Sequence, residues 1–220
     1  LIVYGDRRVT DVTMTRLPKG RHSLTREQVS DAQRLRLAIG MATAMEGKGY
    51  VGTPVAEILK RAGVSRETFY QLYDDKLACF LDALDLIGAL LVQNLNPALG
   101  GSGTPLERAE RAVEQYLTTI ADNPAFARLY LVEVHAAGPV AMTRRANLQA
   151  FIVDGLAGLI GAKTKSARFA CQMYVAAIAS LVTVPVVTAD MRAVEALRKP
   201  LVEHLRALAR EHDPSLRTQG

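Results

Sequence analysis

Residues 53–76 read TPVAEILKRAGVSRETFYQLYDDK, and this stretch decides the fold. Thr53 followed by Pro54 is a helix start, because proline loses nothing at a position whose N–H has no intrahelical partner and the threonine hydroxyl can cap. Val55, Ile58, Leu59 and Ala62 then recur at helical spacing and give one apolar stripe. Gly63 is the left-handed residue that ends this helix, Val64 is an apolar turn residue, and Ser65 caps a second helix. Two short helices joined at a sharp angle form a helix-turn-helix.

In the second helix Phe69, Leu72 and Tyr73 are assigned to packing, which leaves Arg66, Glu67, Thr68, Tyr70 and Gln71 outside. These side chains donate and accept hydrogen bonds, as base edges and phosphates require, and a major groove admits an α-helix. Arg66, Glu67, Thr68 and Gln71 are the candidates for base contacts, and Thr53, Ser65, Tyr70 and Lys76 those for phosphates. The same pattern also describes an ordinary helical hairpin with a solvated polar face.

The run AGVSRETFYQLYDDK, 62–76, resembles the recognition-helix signature of the TetR family of bacterial transcription regulators, A-G-V-S-x-x-T-[LF]-Y-x-[HY]-F-x-[SD]-K. Ala62, Gly63, Val64, Ser65, Thr68, Phe69, Tyr70, Asp75 and Lys76 fit it; Leu72 stands where His or Tyr is frequent and Tyr73 where Phe is usual. The flanking runs LPKGRHSLTREQV (17–29) and KLACFLDAL (76–84) resemble one subgroup, so the similarity covers about residues 17–86. Tyr70 and Lys76 fall at positions that the family usually gives to phosphates. The resemblance also implies a homodimer whose interface lies on the last two long helices, and a helical body with a cavity for a small effector.

Composition agrees with an all-α chain: 49% hydrophobic, 22% charged, 5% aromatic, no Trp, rich in Ala and Leu, with few β-branched alternating runs. The fold expected is an N-terminal three-helix helix-turn-helix domain followed by a larger helical effector-binding and dimerisation domain, about nine helices in all. The expected boundaries are 1–22 for a flexible basic arm, 23–74 for the DNA-binding domain and 75–220 for the body. The net charge of +5 is unevenly spread: residues 1–76 hold 13 Lys/Arg against 9 Asp/Glu, and 77–220 hold 14 against 13. The basic excess therefore sits with the helix-turn-helix, as attraction to phosphate requires.

The arm carries Arg7, Arg8, Arg16, Lys19 and Arg21, with Lys19 and Arg21 the ones inclined to a DNA role. Thr25 with Gln28, and Ser30 with Gln33, are capping-box pairs, and the first helix is expected to run from one of them to about Gly47. The helix after the recognition helix starts at Asp74 or Asp75 and runs to about Leu95; Asn96–Thr104 is a flexible connector. Further helices are expected over about 105–121, 124–137, 139–160, 166–188 and 191–211, with Pro200 kinking the last or starting its second half. Gly155, Gly158 and Gly161 read as places where helices approach closely.

Residues 169–189 contain no charged side chain, yet are rich in Ala and interrupted by Gln172, Ser180, Thr183, Pro185 and Thr188; they read as a buried interface helix rather than a membrane span. Ala176, Ala177, Ser180, Leu201, Leu205 and Leu208 are the candidate dimer interface, with an intramolecular core as the alternative. Tyr116, Phe126, Tyr130, His135, Phe151 and Tyr174 interrupt the apolar stripes and are the candidate ligand pocket; Glu133 is paired in this reading with His135, whose charge it would set.

No chemistry-bearing constellation competes. His22, His135, His204 and His212 are far apart and make no H-x-x-x-H, Cys79 and Cys171 have no metal spacing and no disulfide framework, and no G-x-S-x-G occurs. Neither an enzyme nor a metal or cofactor site is expected, and the free thiols and the absence of a signal peptide point to the cytoplasm. The expected function is a repressor that binds a near-palindromic double-stranded operator as a homodimer and is released by a small apolar or amphipathic ligand, with no membrane partner. The alternative is a helical ligand-sequestering protein whose DNA affinity is only nonspecific.

Overall fold

The computed structural model describes residues 25–212. The expected basic arm, 1–22, lies outside the described residues. Eleven α-helices and one π turn follow one another, and no strand occurs among the described residues: α1 (Arg26–Gly52), α2 (Val55–Ala62), α3 (Arg66–Leu72), α4 (Lys76–Gly100), α5 (Pro105–Asp122), α6 (Pro124–Arg128), the π turn (Leu129–Glu133), α7 (Val134–Ala137), α8 (Pro139–Leu159), α9 (Lys165–Val187), α10 (Met191–Ala196) and α11 (Arg198–His212). The segment α6–π–α7 is one continuous run, and α10 and α11 are the two halves of the expected last helix. Pro200 lies in the first turn of α11, where a missing N–H costs nothing.

Helix α1 opens on a capping box: the Thr25 hydroxyl accepts from Gln28 N–H at 3.2 Å, and Gln28 Oε1 accepts from Thr25 N–H at 2.9 Å. Its buried face is Leu35, Leu37, Ala38, Gly40, Met41, Ala42, Ala44 and Met45. The helical geometry breaks at Gly49 (φ 66°, ψ 179°), two residues beyond the expected end. That shift changes the role of Thr53. Its hydroxyl donates back to Gly49 O at 2.7 Å and its side chain is fully buried, so Thr53 closes α1 and does not cap α2, whose N-cap is Pro54 with no side-chain hydrogen bond.

Asp75 Oδ1 accepts from Ala78 N–H at 2.7 Å and starts α4, as expected, and Thr104 with Glu107 forms a capping box at α5 beyond those expected. Helix α4 continues through Pro97 to Gly100, so the connector is shorter than 96–104. Gly155 and Gly158 face open space, and Gly161 (φ 69°) ends α8, with Ala162 N–H donating to Ala157 O. The close approach occurs instead at Gly88, where an added Cβ would stand 2.9 Å from Leu148.

The chain divides into two compact units, one of residues up to Ile87 together with Ala125–Met142, the other of Gly88–Pro124 with residues from Thr143 on. The unit that holds the helix-turn-helix is thus larger than the expected 23–74. Its core contains Leu37, Met41, Met45, Ile58, Phe69, Phe80, Leu129, Leu131 and Val134. In the other unit α5 packs on α10 and α11, and α9 on the same two helices.

Leu201, Leu205 and Leu208 are buried within this second unit, at 5%, 0% and 8% exposure. They are core residues of a single chain, which corrects their assignment to a dimer interface. Helix α9 divides into two faces: Cys171, Tyr174, Ile178, Val182 and Val186 are buried, while Phe169, Met173, Leu181, Val184 and Val187 are exposed. Ala176, Ala177 and Ser180 lie on the exposed side. By length and composition alone α4 and α9 could cross a membrane.

Candidate nucleic-acid interface

The helix-turn-helix is held from behind by α1. Gly40 lets the two helices touch, since a Cβ there would stand 2.8 Å from Ala62 N and 3.0 Å from Ile58 O. Gly63 takes the left-handed conformation (φ 61°, ψ 36°) and ends α2, and Arg36 of α1 donates through Nη2 to Gly63 O at 2.6 Å. The Ser65 hydroxyl accepts from Thr68 N–H at 3.0 Å and starts α3. Ile58, Ala62 and Phe69 are completely buried, so the turn between the helices is fixed by packing on both sides.

With Phe69 inward, α3 exposes Ser65, Arg66, Glu67, Tyr70 and Gln71, and Thr68 is half-buried. The exposed groups restrain one another. The Arg66 guanidinium lies 5.6 Å from the Tyr70 ring centroid, and Gln71 Nε2 donates to Glu67 Oε1 at 3.4 Å. The result is a face of one cation, one carboxylate, one carboxamide and two hydroxyls on a seven-residue helix. A planar guanidinium and a carboxamide are the groups that bond two acceptor or donor atoms of one base edge.

Two of the proposed phosphate ligands are spent inside the protein. Thr53 is fully buried, as described above, and cannot reach a phosphate with its side chain. Lys76 donates through Nζ to Tyr50 O at 2.7 Å and to Thr53 O at 3.0 Å, and stands 4.2 Å over the Tyr50 ring. Burial lowers its pKa. It acts as a cap on carbonyls at the end of α1, a cation at a helix C-terminus.

Behind α3 lies a cluster that the sequence did not single out. Asp82 of α4 accepts from Tyr73 OH and from Arg34 Nη1 of α1 at 3.1 Å, and the Arg34 guanidinium lies 5.2 Å from the Tyr73 ring centroid. Burial and the neighbouring carboxylate push the Tyr73 phenol well up. Cys79, buried beside this cluster, is pushed up to about 12, chiefly by burial. The three residues tie α1, α3 and α4 together, so the departure from phenylalanine at Tyr73 adds a hydroxyl that finds a partner.

The six residues expected to line a ligand pocket are divided between the two units. Phe126, Tyr130 and His135 belong to the unit that holds the helix-turn-helix, and Tyr116, Phe151 and Tyr174 to the other. Phe151 is 61% exposed and His135 is exposed as well, which corrects their placement in an enclosed cavity. Phe126 and Tyr130 are buried, and Tyr116 is half-buried. Tyr174 lines an open groove of about 780 Å³ between α9 and α11, with Phe169, Met173, Leu197 and His204; its hydroxyl donates to Leu201 O at 2.8 Å. Glu133, expected to act on His135, is instead engaged by Arg128 and by the backbone of Tyr50.

Residues 42–83, which contain α2 and α3, match the family described as bacterial regulatory proteins, tetR family. The HTH-type transcriptional regulator EthR of Mycolicibacterium smegmatis is 29% identical over 121 residues, covering 54% of this chain and 55% of EthR, so the match spans about half the length of each. Among solved structures, the fatty acid degradation regulator FadR from Bacillus halodurans has a TM-score of 0.68 at 18% identity, over 77% of this chain and 96% of that one. The transcriptional regulator FadR from Bacillus subtilis, solved in complex with stearoyl-CoA, has a TM-score of 0.65 at 15% identity, over 78% and 96%. These two likenesses concern the fold. With the braced helix-turn-helix, the Ser65 cap and the matching signature at one place, residues 42–83 form a helix-turn-helix segment of the kind found in the tetR family of bacterial regulatory proteins.

Proposed function

We propose that the protein is a sequence-specific repressor that binds a near-palindromic operator as a homodimer and is released by a small apolar or amphipathic ligand. The observation that carries this reading is the face of α3: Arg66, Glu67, Tyr70 and Gln71 are exposed side by side on a helix whose other face is locked by Phe69 and the Ser65 cap. Arg66, Glu67, Thr68 and Gln71 read base edges; Ser65 and Tyr70 contact phosphates. The exposed side of α9, including Ala176, Ala177 and Ser180, pairs with its copy, because a two-fold protein asks for a two-fold site.

Selection of duplexes from a random pool, followed by affinity measurement on the winner and on scrambled DNA, tests this reading. A palindromic winner bound about a thousandfold or more tightly than scrambled DNA is expected. No enriched sequence, with salt-sensitive binding alone, overturns it. For the ligand, stearoyl-CoA is the first probe, since the Bacillus subtilis FadR was solved with this amphipathic molecule. Release of the selected duplex is the expected outcome, and a screen of shorter acyl and free-acid ligands follows if it fails.

A further inference from the structure

Glu133 closes the π turn and reaches a residue 83 positions earlier. Its carboxylate is only 5% exposed; Oε2 accepts from Tyr50 N–H at 2.7 Å and Oε1 from Arg128 Nε at 3.0 Å. The Tyr50 amide follows the break at Gly49, and the carboxylate is its acceptor there. The carbonyl of Tyr50, in the following peptide group, accepts from Lys76, the first residue of α4, which also donates to the carbonyl of Thr53 just before α2. The backbone of one residue, Tyr50, thus joins the π turn, the end of α1, the approach to α2 and the start of α4. The fit is close, for a Cβ on Gly49 would stand 3.1 Å from Glu133 Oε2.

A π turn differs from an α turn by one residue in its hydrogen-bond register, and here Val134 N–H donates to Leu129 O, five residues back. Conversion of this turn to α-helix would rotate its end by about 100° and carry the Glu133 carboxylate away from Tyr50.

We infer that Glu133 is a positioning residue for DNA binding: from the π turn it fixes the break in α1, and through it the setting of α2 and α3. The inference rests on the DNA-reading function proposed above. A residue of this kind acts on the specific complex, where both recognition helices must be seated, more than on nonspecific attraction to phosphate.

The test uses the full chain and the duplex that the wild-type protein selects, with a scrambled duplex as control. Glu133→Ala should bind the selected duplex about tenfold or more weakly and the scrambled duplex within about twofold of wild type. Glu133→Gln should lose no more than about threefold, because a carboxamide oxygen still accepts from Tyr50 N–H. Hydrogen exchange at the Tyr50 amide should speed up in the alanine variant and much less in the glutamine variant. Gly49→Ala strains the break itself, because its φ of 66° is one that alanine rarely adopts, and should weaken the selected duplex with or without the Glu133 carboxylate.

Equal losses on both duplexes in Glu133→Ala would overturn the role of Glu133 by making it a general stabiliser. Wild-type affinity of Glu133→Ala for the selected duplex would overturn it as well. A wild-type chain that enriches no duplex overturns the DNA-reading function itself and is thereby distinguished from these outcomes.

Discussion

The Lys76 ammonium sits between the carbonyl of Tyr50, at 2.7 Å, and the ring of the same residue, whose centroid is 4.2 Å away. A charged donor given to backbone carbonyls and an aromatic face has little left for a phosphate. Lys76→Met is therefore expected to lower stability, by about 1–3 kcal/mol for a hydrogen-bonded charge. The salt dependence of DNA binding should keep its slope. A slope reduced by about one would return Lys76 to the phosphate contacts.

Arg66 is the residue expected to carry most of the base readout, because its guanidinium is exposed yet held over Tyr70. Arg66→Ala should cost about 1–3 kcal/mol on the operator and relax specificity at one position of each half-site. Repeating the duplex selection with the variant reads this directly. Equal weakening on operator and random DNA would remove Arg66 from base reading.

Gly40 separates two effects of opposite sign. Alanine at a helix interior gains about 1 kcal/mol in propensity over glycine, but here its methyl meets backbone atoms of α2 at 2.8 and 3.0 Å, which must move. Overpacking against backbone costs about 1–3 kcal/mol, so the clash wins and Gly40→Ala should be less stable by urea titration. Gly47→Ala, where nothing lies within 4 Å, supplies the control and should be neutral or stabilising.

The two cysteines bear on stability at alkaline pH. Burial raises both thiols, Cys79 to about 12 from an ordinary 9.0. A raised folded-state pKa means that the folded chain keeps a proton which the unfolded chain gives up. The contribution of Cys79 is therefore complete below pH 9 and is lost as pH rises from 9 to about 12. At pH 8 neither thiol should react with a disulfide reagent until denaturant is added. Cys79→Ala should flatten the decline of stability above pH 9.

What was legible in the sequence was local. Gly63 and Ser65 act within four residues of themselves, so the turn and the start of α3 could be read directly. Thr53 was misread because its role depends on where α1 breaks, and Gly47 and Gly49 offer the same signal two residues apart. The stripe Leu201, Leu205 and Leu208 was correctly apolar, but a stripe does not say what covers it, and α5 and α9 of the same chain do. The Glu133 contact had no sequence signal, since its partner is a backbone amide 83 residues away and its π turn has no composition of its own. Tyr116, Phe126, Tyr130, His135, Phe151 and Tyr174 share only an aromatic ring, which does not determine that they meet.

The exposed side of α9 carries the proposed dimer. Phe169, Met173, Val184 and Val187 are 47–66% exposed and fall on one helical face with Ala176, Ala177 and Ser180. Beside them runs the groove against α11, walled by Leu197, Leu201, His204 and Leu208. Covering an apolar side chain of this size is worth about 1.5–3 kcal/mol, and burying an unpaired charge in its place adds a penalty. Met173→Glu combined with Val184→Lys should therefore raise the dimer dissociation constant by about a hundredfold or more, read by sedimentation equilibrium. Helix content should be unchanged, because both residues are exposed in the single chain. Operator affinity should fall in parallel with the loss of dimer. A double variant that remains dimeric would place the two-fold contact on another face.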